Sequence, residues 1–210
     1  MKDLVIIGAG GMGREVFHLA TQCEGYLKSY QIKGFLDDNT RALDGFIYKY
    51  PPIISNLLKY KVKSNDIFIC SIGDVTTKKR IIEYFISRGG NFITLMHPNV
   101  DINITATCGV GCLIFPQAHI GSEAIIGNHV MVQSYVAIGH DAIIGDFTRI
   151  DPKASCVGGV KVGECVTIHT MAMINHNVSI EDNSVIGALS FVIKNVRQGV
   201  TVFGIPAKEL

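Results

Sequence analysis

The sequence predicts two folded parts: a Rossmann-like α/β half-domain over residues 1–95 and a parallel β-helix of hexapeptide repeats over residues 96–210. Three observations predict it. From Met96 to Arg197 the chain repeats every six residues, for seventeen hexads, without an insertion. Ahead of that run, short apolar segments alternate with segments of helical spacing. A glycine motif separates the first apolar segment from the first helix.

The repeat dictates the second part directly. The first position of every hexad is apolar, from Met96, Ile102 and Cys108 through to Val192, and the fifth is always small or β-branched. Seven hexads carry glycine at the second position: Gly109, Gly121, Gly127, Gly139, Gly145, Gly163 and Gly187. A strict period of six belongs to a solenoid, not to a helix or to simple strand alternation. Three hexads close one eighteen-residue coil of a triangular prism, with the large aliphatic inside and the small residue at the bend. Glycine at the second position is expected to supply either a positive φ or a close backbone approach. Five to six coils at about 4.8 Å each make a prism about 27 Å tall.

The first part reads in order as strand Leu4–Ile7, helix Arg14–Cys23, strand Gln31–Leu36, and a helix around Ser55–Tyr60 after Pro51-Pro52. Then come strand Asp66–Ile72, helix Thr76–Arg88 and a last strand Phe92–Leu95 leading into the repeat. Alternating strands and helices give a small parallel sheet. Gly8, Gly10 and Gly13 form GxGxxG between strand and helix, the context in which backbone N–H groups and a helix N-terminus meet a phosphate. Asp37 and Asp38 end the second strand, where ribose or a base is reached. A dinucleotide needs two mononucleotide halves and this part supplies one, so a single nucleotide or a nucleotide-linked sugar fits better.

Bulk properties exclude several classes. A net charge of +1 gives no nucleic-acid or membrane surface, and no apolar run approaches the length of a membrane span. The first residues read as a strand, not a signal peptide. Six scattered cysteines, with Cys108 and Cys156 in the aliphatic column and Cys112 in the small one, act as small hydrophobes and fit a reducing, cytoplasmic setting. No histidine pair shows metal-binding spacing, so no metal is expected.

Among seven histidines, His140 stands out by position. It follows the Gly139 corner, and the column through it at spacing eighteen reads Ser122, His140, Gly158, His176. Gly158 next to His140 suggests a slot for a thin substrate arm. Spacing alone leaves His140 balanced between a base and a polar surface residue, with His176 as its rival. His169 takes a corner site, His119 and His129 suit the surface, His97 the junction, and His18 the first helix.

The hexads resemble the left-handed β-helix of the hexapeptide-repeat acyltransferases. The whole chain resembles the nucleotide-sugar and sialic-acid acetyltransferases, which include UDP-4-amino-sugar N-acetyltransferases. Carrying that resemblance are Ile7 to Val16, Phe35-Leu36-Asp37-Asp38, Ile72-Gly73, Ile138-Gly139-His140-Asp141 and Gly204-Ile205-Pro206-Ala207-Lys208. It implies acetyl-CoA as co-substrate, a homotrimer, His140 as general base and Asp141 as its support. It also implies substrate contacts from Gly8, Gly10, Gly11, Met12, Gly13, Asp37, Asp38, Gly73, Asp74 and Gln133. Acetyl-CoA contacts are implied for Arg149, Gly158, His169, Thr170, Ala188, Gly204, Ile205, Pro206 and Lys208. The chain departs from the pattern at Met12, where the family often has His, and at Asp74 and Val75, where it often has Asn.

The chemistry is coherent without the resemblance. An amine or hydroxyl attacking a thioester loses a proton, and an imidazole of pKa about 6.5 takes it at neutral pH. Direct attack suffices if both substrates are held together. Asp141 orients the imidazole only if a turn brings adjacent side chains together, because neighbours on a strand point opposite ways. The expected activity is N-acetylation of a nucleotide-linked amino sugar. The alternatives are O-acetylation of sialic acid or another sugar hydroxyl, and a non-catalytic scaffold.

Overall fold

Leu4 to Ile7 are wholly buried, as an apolar run covered on both faces must be, and they form the heart of β1 (Lys2–Ile7). The structure, a computed structural model, describes residues 1–210 as two units, Met1–Leu95 and Met96–Leu210. In the first unit β1 is flanked by β2 (Tyr30–Leu36) and β4 (Asp66–Cys70), and β3 (Ile53–Ser55) joins β2 at the edge, all parallel. Helix α1 (Gly11–Gln22) buries Val16, Phe17, Leu19 and Ala20, and α2 (Val75–Ile86) buries Ile81, Ile82 and Phe85.

Two expectations fail here. No helix forms over Ser55–Tyr60: Pro51-Pro52 keeps the chain extended, and the β-branched pair Ile53-Ile54 continues as β3. Leu57 to Lys59 make only a turn. Phe92 makes a single bridge to Phe68 in place of a strand, and Leu95–Met96 becomes β5, the first strand of the repeat.

Asp66 organises the end of this sheet away from the glycine motif. Its buried carboxylate accepts from Lys33 Nζ, Tyr60 Oη (2.8 Å) and Lys63 N (2.8 Å). Burial alone would lower the Lys33 pKa, but the hydrogen bonds to Asp66 and Tyr60 outweigh it and hold it up.

In the second unit, seventeen two-residue strands run from β5 to β21 (Phe191–Val192), each joining the last residue of one hexad to the first of the next. They pair in parallel at a spacing of eighteen, Ile126 with Ile144, Val132 with Ile150 and Ile138 with Cys156, and give five, six and six strands to three faces, the second of which a closing hairpin brings to eight. The aliphatic column and the small column together fill the prism. A hairpin, β22 (Thr201–Gly204) and β23 (Ala207–Glu209), closes the end of the eight-stranded face.

The corners decide between the two roles expected of the second-position glycines. Positive φ falls at the fourth position of the hexad, in Tyr135, Asp141, Phe147, Lys153 and their counterparts, with φ of 58–62° in these four. It does not fall at the second. Such turns are tied to the coil before: Asp141 N donates to Ser122 O, Phe147 N to Asn128 O and Lys153 N to Ser134 O. The second-position glycines serve close approach instead, since a Cβ on Gly139 would stand 2.6 Å from Gly158 N.

The buried thiols and phenols predict how stability responds to alkali. Burial raises Cys70 to about 11 and Cys156 to about 12, and raises Tyr30 and Tyr60 above the usual phenol range. In the unfolded chain thiols titrate near 8.5. Between those values the folded state binds more protons, so stability falls as pH rises. Lys33 adds the same sign, its contribution being lost as pH climbs through its raised value. Thermal midpoints are expected to be flat from pH 7 to 8 and to drop steadily above about pH 9. A constant midpoint up to pH 11 would contradict this assignment.

Candidate active site

His140 leaves β12 (Ala137–Ile138) at a prism corner, and the positive φ of Asp141 folds the next side chain back onto it. His140 Nδ1 and Asp141 Oδ2 lie 2.6 Å apart. This is the turn that a contact between sequence neighbours requires. Both side chains are mostly exposed, 65% and 62%, so the pair adds little stability and its effect is on orientation. A carboxylate only accepts, so it holds the proton on Nδ1 and leaves Nε2 as the acceptor.

Nε2 lies against Gly158. A Cβ there would stand 2.5 Å from Nε2 and 2.6 Å from Cε1. The expected slot is therefore filled by the imidazole itself, and glycine is what gives the ring its seat. The coils fix that seat, as Gly159 N donates to His140 O (2.9 Å) and Asn177 N to Gly158 O (3.2 Å).

The rival histidines sort differently. His176 shares the column, exposed and without such a partner. His129 is buried, stacked on Phe147 at 5.2 Å and seated over Gly111. His119 pairs with Asp101 (2.7 Å) on an open face. His97 Nδ1 accepts from Asn99 N, and His18 packs on Phe17 and Tyr48.

In the first unit the motif glycines divide by role. Gly8 has φ +97°, and a Cβ on Gly13 would meet Gly8 O at 2.2 Å, so the fold itself demands both. A Cβ on Gly10 would meet nothing within 4 Å, and one on Gly11 only the Arg14 side chain. Those two keep an open surface at the start of α1, beside half-buried Met12. Asp37 accepts from Ala9 N (2.7 Å) and Asn39 N (2.8 Å), which shapes the loop, and Asp38 accepts from Leu57 N (3.1 Å). Asp74, after Gly73, caps α2 by accepting from Thr77 N, and Val75 is the first helical residue. A cavity of about 350 Å³ opens beside Asp38, lined by Leu57, Leu58, Arg80 and Tyr84.

In the prism, Gln133, Arg149 and His169 converge on one carboxylate that the sequence reading passed over, that of Asp151. The usable signal was the column Gln133, Asp151, His169 at spacing eighteen. Thr170 and Ala188 follow at the same corner in successive coils. Gly204 to Lys208 form the closing turn, with a cis Ile205–Pro206 bond, and Gly204 N donates to Ser190 Oγ (3.1 Å). A cavity of about 340 Å³ lies beneath that hairpin, lined by Lys194, Arg197, Pro206 and Lys208 among others. No group of three or more His, Cys, Asp or Glu is placed to hold a metal ion, and no helix is long and apolar enough to cross a membrane.

The fold, an α/β unit followed by a parallel β-helix of hexapeptide repeats, is shared with solved acetyltransferase structures. Residues 3–85 match the PglD N-terminal domain family. The acetyltransferase domain of PglB from Neisseria gonorrhoeae FA1090, in complex with acetyl coenzyme A, is 28% identical and superposes with a TM-score of 0.88, covering 100% of this chain and 99% of the other. PerB from Caulobacter crescentus, solved with CoA and GDP-perosamine, gives a TM-score of 0.90 at 21% identity over 100% and 98% of the two chains. The UDP-N-acetylbacillosamine N-acetyltransferase of Bacillus subtilis (strain 168) is 29% identical over 116 residues, 54% of this chain. The matched stretch spans about half the length of that curated relative, 51%.

Because Asp141 sits where glycine is comfortable, Asp141→Gly separates backbone from side chain. The thermal midpoint is expected to hold or rise, while kcat/KM falls about 10- to 100-fold with the lost charge-assisted hydrogen bond. An unchanged kcat/KM would remove Asp141 from the site.

Proposed function

We propose that this chain transfers the acetyl group of acetyl-CoA to the 4-amino group of a nucleotide-linked sugar, UDP-linked by our reading. The observation that carries the proposal is the His140 imidazole, oriented by Asp141 on Nδ1 and seated with Nε2 on Gly158. Acetyl-CoA supplies the activated thioester. The amine nitrogen attacks its carbonyl carbon, a C–N bond forms, the C–S bond breaks, and CoA leaves as the thiol. His140 Nε2 accepts the proton that the nitrogen must lose and returns it to the departing sulfur, the role for which a neutral imidazole is suited. Relatives named as amino-sugar N-acetyltransferases, and one solved with CoA and a nucleotide sugar, support this reading.

The open surface at Gly10 and Gly11 and the cavity beside Asp38 would take the nucleotide. The coils around Gly158 and the closing turn Gly204 to Lys208 would take acetyl-CoA. His140 and Gln133 stand on successive corners of one coil, and a homotrimer of prisms would bring corners of neighbouring copies together. Six free thiols suit a reducing, cytoplasmic compartment. The decisive assay is thiol release from acetyl-CoA with UDP- and GDP-4-amino sugars and free sialic acid in parallel. Turnover with an amino sugar is expected, and CoA release from none of them would sink the proposal.

A further inference from the structure

The prism holds one buried acid, Asp151, which follows β14 (Arg149–Ile150) on an outer corner and is only 4% exposed. Seven hexads place glycine at this second position, so the repeat itself does not ask for a carboxylate. Both its oxygens are engaged. Oδ1 accepts from Gln133 Nε2 (2.7 Å) and Arg149 Nε (2.6 Å), and Oδ2 accepts from Arg149 Nη2 (3.0 Å) and lies 3.0 Å from His169 Nδ1. A buried ion pair is a weak source of stability, because desolvation offsets much of the attraction. What it does strongly is fix the orientation of its partners.

Carboxylate oxygens only accept, so Gln133 must face Asp151 with its NH₂ and His169 with its Nδ1–H. Gln133 Oε1 and, in the neutral imidazole, His169 Nε2 are thereby turned away from the carboxylate as acceptors. Both side chains are partly exposed. They lie in coils on either side of Asp151, in one column.

We propose that Asp151 is a positioning residue for the acetyl transfer described above. It sets the Gln133 amide and the His169 imidazole so that two acceptors face ligand N–H donors, the sugar amino group and the amides of the pantetheine arm. The inference rests on the acetyl-transfer reading. Without Asp151 either side chain is free to present a donor instead, and an amine meets N–H.

The test is a double-mutant cycle of Asp151→Asn and Gln133→Ala in the full chain, read as KM for the amino sugar, with thermal midpoints as the check on folding. Each single variant is expected to raise KM about tenfold or more, and the double variant little further, because both remove one unit. Additive effects would overturn the proposal. Side-chain ¹⁵N NMR of His169 gives a readout that needs no turnover. The Nδ1–H form is expected in the wild type and its loss in Asp151→Asn, whereas an unchanged tautomer overturns the proposal. Should Asp151→Asn not fold, Gln133→Glu sets a second carboxylate against Asp151 and is expected to raise KM equally; an unaltered KM there overturns it. A wild-type chain that acetylates no acceptor counts against the acetyl-transfer reading alone, since the tautomer still reports on Asp151.

Discussion

His140→Ala is expected to lower kcat by about 10²–10⁴-fold, the range that a positioned general base contributes. The same variant should leave the thermal midpoint and acetyl-CoA binding close to wild type. His140 is 65% exposed on the side-chain scale and fills no core space, and surface substitutions of that kind shift stability by about 0.5 kcal/mol or less. Steady-state kinetics with an amino-sugar acceptor, beside calorimetric titration of acetyl-CoA, separates the two quantities. A variant that turns over at the wild-type rate would take His140 out of the mechanism. Loss of binding along with turnover would show a structural role instead.

The second large effect is expected from Gly158→Ala, a change that removes no hydrogen-bonding group. Its φ is not positive, so alanine suits the backbone. The added methyl would lie 2.5 Å from Nε2, and the atom it meets is the far end of an exposed side chain that can swing aside. Relief is therefore cheap for the fold and costly for the chemistry. Displacing the accepting nitrogen by about 1 Å is enough to lose about 10²-fold in rate. The thermal midpoint should change by no more than a few degrees, as about 1 kcal/mol or less is at stake. Unaltered kcat would mean that the ring does not need its seat on Gly158.

Much of this was legible in the sequence, and the reason is periodicity. A gapless spacing of six fixed which side chain enters the prism at every coil, and the eighteen-residue column put Gly158 against His140 before any coordinates. What the columns could not show is what fills a space: the gap beside His140 reads as a slot on paper and is occupied by its own imidazole. The positive φ at the fourth position was hidden because residues as unlike as Phe147, Lys153 and Leu189 adopt it, held there by hydrogen bonds to the preceding coil. Asp151 was hidden for a related reason, since an acid at a corner looks solvated until its three partners are counted. Ser55 to Tyr60 misled because helical spacing over so few residues cannot outweigh two prolines and a pair of isoleucines beside an unpaired strand edge. Asp37, Asp38 and Asp74 were read as substrate contacts, whereas each also accepts from a backbone N–H that shapes its own loop or helix.

The hairpin at the end of the prism has a consequence for solubility. A stack of parallel coils presents, at its last storey, a row of unpaired backbone groups that matches the row at the foot of another copy. Nothing in the repeat itself says where to stop, and such an edge invites chains to add end to end into a filament. By turning β23 antiparallel on β22, the chain faces its eight-stranded side with a strand of the wrong direction and a different side-chain order. The same few residues that form the closing turn thus set a finite length on an architecture that has none built in.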